Sequence, residues 1–225
     1  MRYWVVDSET TGVGAQDKAV EVAGFFCVDN EIVKYHQSLV NPGIPIPPEA
    51  CAIHHITDED VAEAPSIDDA MAPFFDEEFD FVVAHNAAFD RRFMDFGECP
   101  WACTYKLAMV VYPNAPSHKN QVLRYFLNLQ KLVHANAVFA HRALYDSEVT
   151  TYLFQHLLGR ATSEEPLEGM LKVSNNPILL KKCRFGKHKD KLWQDVPKDY
   201  LDYIINKSSG WDEDTLYTAK HYYQR

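Results

Sequence analysis

Little in this sequence marks it for an oxidising or membrane environment. Its five cysteines, Cys27, Cys51, Cys99, Cys103 and Cys183, are odd in number and scattered, and no two form a Cys-x-x-Cys pair. Neither a disulfide framework nor a zinc site is indicated, and each cysteine is expected to act as a small buried hydrophobe in a reducing compartment. No apolar run approaches the roughly 18 residues needed to span a bilayer. The opening residues Met1–Asp7 meet an acid too early for a secretory leader, so a cytoplasmic location is expected. There is no internal repeat and no low-complexity tract. Basic charge is also scarce. With 22 Lys and Arg against 32 Asp and Glu, the formal net charge is −10, which taken alone argues against a phosphate-binding surface.

What is present is ordinary globular composition: 225 residues, 47% hydrophobic and 24% charged, enough for one full domain with a small appendage. A main domain of about 160 residues should bury roughly two-thirds of its unfolded surface without covalent staples. The charge is unevenly spread. Residues 1–159 carry a net −12 and residues 160–225 a net +2. Bound cations invert the local field of an acidic cleft, so net charge does not exclude a phosphate-bearing substrate.

Residues 3–6 read as a short strand ending at Asp7 and a Thr-Thr-Gly turn. Residues 19–28 and 31–40 read as two more strands joined by Asp29-Asn30, a hairpin signal. The proline-rich stretch 41–48 reads as a loop, and Thr57 and Ser66 as helix N-caps. Residues 79–84 form a buried strand running into His85-Asn86, with a helix expected from 87 to 96. Further helices are expected over 104–112, 119–128 and 142–158. Early strands followed by strand–helix alternation predict an α/β fold with a mixed sheet flanked by helices. Polar residues 160–177 read as a linker between a domain at 1–159 and a small α+β module at 178–225.

Three segments carry chemistry. In Asp7-Ser8-Glu9-Thr10-Thr11-Gly12, side chains at i and i+2 of an extended chain share a face, so Asp7 and Glu9 can converge on one ion. In His85-Asn86-Ala87-Ala88-Phe89-Asp90, polar residues cluster at the end of a buried strand. In His141-Arg142-Ala143-Leu144-Tyr145-Asp146, an acid lies on an otherwise apolar helix face, where an unpaired carboxylate is costly; a metal ion would meet that need. Each segment alone is a weak signal, but their order and spacing together are hard to obtain by accident.

The constellation resembles the DEDDh 3′–5′ exonucleases, which share a ribonuclease H-like fold, and Ala52-Ile53-His54-His55-Ile56-Thr57 matches a further pattern of that family. The likeness covers roughly residues 1–159. Phe185-Gly186-Lys187 and Asp199-Tyr200-Leu201 extend it, more weakly, toward the carboxy-terminal module of exonuclease X-type members. Ser8 departs from the usual Thr, and residues 113–140 follow no strong pattern.

The resemblance implies two divalent cations, Mg²⁺ or Mn²⁺, held by hard oxygen ligands. Asp7 would bridge both, Glu9 and Asp146 would complete one, and Asp90 would hold the other. His141 would take a proton from the attacking water, since an imidazole titrates near neutral pH. Thr10 and Thr11 would meet the 3′-OH through backbone amides, and Val13 would wedge against the terminal bases. His54, His85, Asn86 and Phe89 are further substrate-contact candidates. Asn86 is as readily a brace for its loop, and Phe89 a core residue. Lys181, Lys182, Arg184, Lys187, Lys189 and Lys191 are expected to form a nucleic-acid clamp rather than the charged edge of a hairpin. The tail favours DNA 3′ ends over RNA as the partner. An exoribonuclease with the same site and a silent nucleic-acid-binding module are the alternatives. A homodimer is compatible with the family, but no residue requires one.

Overall fold

The computed structural model describes residues 1–133, 141–160 and 166–225. Three strands, β1 (Arg2–Thr10), β2 (Ala19–Val28) and β3 (Glu31–Leu39), form an antiparallel meander. Asp29 and Asn30 turn the β2–β3 hairpin with φ of 49° and 69°, the left-handed pair that matches the twist of the flanking strands. Three short helices follow: α1 (Pro48–His54), α2 (Asp58–Val61) and α3 (Ile67–Met71). The Thr57 side chain closes a capping box with Asp60, and the Ser66 hydroxyl accepts the Asp69 amide, so both predicted caps are present. Next come β4 (Phe81–Ala84), α4 (Ala87–Asp90), β5 (Trp101–Cys103), α5 (Thr104–Val111), α6 (Asn120–Phe126) and α7 (Ala143–Leu158). The chain closes with α8 (Pro166–Ser174), α9 (Lys198–Asp202) and α10 (Glu213–Tyr223). The sheet order is β3-β2-β1-β4-β5, with β4 parallel to both β1 and β5.

Alternation along β1 sorts the core into two layers. Trp4 and Val6 join Val22, Phe26, Phe74 and Val82 on one face. Tyr3 and Val5 join Phe81, Val83, Leu153, Phe154 and Leu157 on the other, where α7 lies across β1 and β2. Truncating a core ring such as the fully buried Phe154 to alanine would cost about 3–5 kcal/mol. A third cluster, Ile178, Leu180, Cys183, Trp193, Leu201 and Ile204, gathers the carboxy-terminal segment and borrows Met109 from α5. Among the described residues, no helix is long and apolar enough to cross a membrane.

Several boundaries differ from the sequence expectation. β1 continues to Thr10, because β2 pairs with it out to Thr10↔Ala19; Asp7 and Glu9 therefore lie within a strand rather than beyond one. The first helix takes in Pro48, whose missing N–H costs nothing in a first turn. The helix expected over 87–96 ends at Asp90 and loosens into turns that carry Phe93, Met94 and Phe96 into the core. β5 has only three residues, too few for a periodic signal. The largest correction concerns the expected linker: residues 166–174 form α8, which buries Met170 against the second core layer beside Leu167 and Leu171. Its apolar residues recur at helical spacing, but intervening polar residues conceal them.

Candidate active site

Asp7 and Glu9 project from one face of β1, and Asp146 meets them from the first turn of α7. One carboxylate oxygen from each of these three residues lies within 4.8 Å of the other two. Asp90, almost fully buried at the end of α4, stands beside them, with one oxygen accepting the Ser8 hydroxyl at 2.8 Å. The serine in place of threonine thus retains the hydroxyl that orients this acid. Asp146 is held at both oxygens. Its Oδ2 accepts the His141 amide at 2.8 Å, and its Oδ1 accepts the Gln121 side-chain amide.

Burial raises the proton affinity of all four acids, and neighbouring carboxylates add to it at Asp7 and Glu9. Burial, then the nearby charges of Asp90, Asp146, Glu9 and Glu21, hold the Asp7 carboxyl well above the usual range. Burial also lifts Glu9 to about 8, aided by Asp146 and Glu21 and opposed by Arg142. Asp90 rises to about 7 through burial, against the Ser8 hydrogen bond. Asp146 is raised by burial, against the Gln121 and His141 hydrogen bonds. Four carboxylates that repel one another in a partly dry site are an arrangement that a cation relieves.

These groups open onto a cleft of about 1140 Å³. Asp7, Glu9, Asp90, His141 and Asp146 line it, together with His85, Asn86, Phe89, Lys119 and Gln121. Its carboxy-terminal wall includes Arg184 and Asp212–Asp214. His141 sits at the cleft with a left-handed backbone, φ 66°, just ahead of α7.

The remaining predicted residues divide. Val13 is 78% exposed on a loop whose carbonyls at Val13 and Gly14 accept the Arg92 guanidinium, and Asp17 ties the same loop through Thr11 and the Gly14 amide. Thr10 and Thr11 are buried, and the Thr11 amide, expected to be available to substrate, donates to the Lys18 carbonyl. His54 is buried outside the cleft lining; its Nδ1 accepts the Ile56 amide, and burial lowers its pKa. His85 reaches the cleft, but both ring nitrogens are engaged, Nε2 by the His118 carbonyl and Nδ1 by the Thr104 hydroxyl. Burial pushes it down to about 4, so the ring is a neutral brace. Asn86 takes the left-handed backbone, φ 68°, that opens α4, and Phe89 packs on Phe93 at 5.0 Å. Of the six clamp candidates only Arg184 lines the cleft, donating to the Tyr105 hydroxyl at 2.7 Å and pairing with Asp212 at 3.3 Å. The five lysines are exposed, and Lys187 lies over the Tyr200 ring.

Sequence reading missed several supports. Glu21 on β2 is fully buried and paired with Arg142; an acid inside Ala-Val-Glu-Val-Ala was a visible signal. Gln121, which accepts a hydrogen bond from Arg124, and Asn120, which reaches the Asp146 carbonyl, gave none.

The fold and the acid cluster define a ribonuclease H-like nuclease. The RNase_T family of exonucleases matches residues 4–154, and the chain belongs to that family. Exodeoxyribonuclease 10 of Escherichia coli (strain K12) is 34% identical over 221 residues, covering 97% of each chain. A solved structure of exonuclease X in complex with 5′ overhanging duplex DNA superposes with a TM-score of 0.68 at 33% identity, 77% of this chain covering 99% of that one. DNA polymerase III PolC-type of Bacillus subtilis is 30% identical over 176 residues, which are 72% of this chain but only 12% of the polymerase.

Proposed function

We propose that this exonuclease releases mononucleotides from the 3′ ends of DNA by hydrolysis assisted by two divalent cations. The observation that carries the reading is the convergence of Asp7, Glu9 and Asp146 within 4.8 Å, with Asp90 beside them and His141 on the same cleft. An all-carboxylate donor set fits Mg²⁺ or Mn²⁺ better than a soft ion. Asp7, Glu9, Asp146 and Asp90 would hold the two ions. When bound, the ions supply activation of water and charge stabilisation for the leaving oxygen. His141 accepts the proton of the attacking water. Val13, exposed on its tied loop, packs against the terminal base, and Asn86 and Phe89 shape the pocket behind it.

The nearly full-length relation to an exodeoxyribonuclease, and the duplex DNA bound by exonuclease X, support DNA as substrate. Residues 178–225 act as a small module whose lysines, Lys181, Lys182, Lys187, Lys189 and Lys191, track the phosphate backbone, while Arg184 faces the cleft. The test is Mg²⁺-dependent degradation of 3′-labelled and 5′-labelled DNA and RNA by wild type, Asp7→Ala and His141→Ala. Laddering from the DNA 3′ end, lost with EDTA and in Asp7→Ala and strongly slowed in His141→Ala, is expected. Faster laddering on RNA would overturn the substrate, and binding without cleavage would overturn the hydrolytic reading.

A further inference from the structure

Glu21 is a fully buried carboxylate with no place in the hydrolytic scheme, yet it stands directly opposite Glu9 in the β1–β2 pair. Like charges across an antiparallel pair repel, and here the two acids have separate surroundings. Glu9 opens onto the cleft. Glu21 is engaged from three sides: Gln37 Nε2 donates at 2.7 Å, Arg142 donates from Nη2 at 2.6 Å and from Nε at 3.0 Å, and the Ala143 amide donates at 2.9 Å. The two-pronged guanidinium contact fixes both angle and distance. The Ala143 amide is one of the first-turn donors of α7 that lack a partner within the helix. Glu21 therefore caps α7 from a strand more than a hundred residues earlier.

Arg142 lies between two residues of the site. On one side, His141 has a left-handed backbone and gives its amide to Asp146; a non-glycine residue stays in that region only where its surroundings hold it. On the other side, α7 begins and carries Asp146.

We infer that Glu21 and Arg142 are a positioning pair for hydrolysis, clamping the start of α7 to β2 so that His141, the residue before Arg142, stands in working geometry beside the acids of the site. The inference rests on the proposed role of His141 as base. The pair touches no reacting atom. It sets where the base stands, and its loss should act through His141.

A double-mutant cycle separates this role from general support. Single-turnover release of the 3′ nucleotide from recessed-end duplex DNA with Mg²⁺ is measured for wild type, Arg142→Met, His141→Ala and the double variant. Arg142→Met is expected to slow wild type by about 10-fold or more, and the His141→Ala enzyme by less than about twofold, because the two changes remove one effect. Arg142→Lys, which keeps the charge without the fork, should fall between. Should Arg142→Met not fold, Glu21→Gln, which retains an oxygen for the Ala143 amide, enters the same cycle. An unchanged rate in a folded variant overturns the pair, as does an equal factor on both backgrounds while His141→Ala itself is slow. A His141→Ala enzyme at the wild-type rate overturns the base assignment and with it anything the pair would position.

Discussion

The two walls of the cleft are built differently. The carboxylate wall comes from β1, α4 and α7, and its acids are oriented by partners on other elements: Ser8 for Asp90, Gln121 and the His141 amide for Asp146. The carboxy-terminal wall hangs from short elements: the isolated bridge Lys182↔Leu192, a tight turn at Gly186–His188 and the small core around Trp193. One wall is acidic and braced; the other sets Arg184 beside Asp212, Glu213 and Asp214 and is lightly built, with five exposed lysines of the same segment outside the cleft. Cleavage chemistry needs fixed geometry, whereas holding a flexible polyanion needs charge distributed over a surface. On the proposed function, the exposed lysines of residues 178–225 take the second task.

That contrast is sharpened by substitution. Asp7→Asn should lower the rate of nucleotide release by about 10³-fold with little change in DNA affinity, the scale seen when preorganised charge stabilisation is lost; single-turnover kinetics beside a binding isotherm measure both. Changing Lys181, Lys182, Lys187, Lys189 and Lys191 to alanine should have the opposite profile. DNA binding should weaken about 10-fold while the saturated rate holds, and the salt dependence of affinity should flatten by about 0.9 in log–log slope for each phosphate no longer neutralised. A titration of binding against NaCl measures it, and an unchanged slope would remove the lysines from the DNA path.

Gly186→Ala tests the light wall alone. Gly186 has φ 61°, and a methyl group there would run into the Tyr200 hydroxyl. A loss of about 1–3 kcal/mol is expected, confined in hydrogen exchange to the carboxy-terminal segment. The smallest effect is a pH trend in the braced wall. Glu9 at about 8 and Asp90 at about 7 titrate above the values they would have in an unfolded chain. Their protonated forms favour the folded state, fully so below the unfolded values, and that contribution fades as pH rises through about 7 to 8. Metal-free protein should therefore lose several degrees of melting temperature across this window, and Mg²⁺ should restore them most at the alkaline end. Calorimetric melts with and without EDTA measure it.

Much of the braced wall was legible because its chemistry breaks local patterns. Asp7 and Glu9 alternate on a strand, His85-Asn86 interrupts a buried run, and Asp146 is an acid on an apolar helix face. The supports were not legible, because they depend on pairings distant in sequence. Glu21 meets Arg142 across 121 positions and Gln121 meets Asp146 across 25, and nothing local to either residue names its partner. The partners of Thr11 and His85 were hidden for the same reason: the Thr11 amide meets Lys18 and the His85 ring meets His118. β5 was too short to show a period, and α8 hid its apolar stripe among polar residues.

The central claim is that four carboxylates make one two-cation site, and calorimetric titration of Mn²⁺ tests it most directly. Wild type should bind two equivalents, Asp90→Asn should retain one, and Asp7→Asn should lose both or bind far more weakly. Two equivalents bound unchanged in Asp7→Asn, or none bound by wild type, would contradict the account.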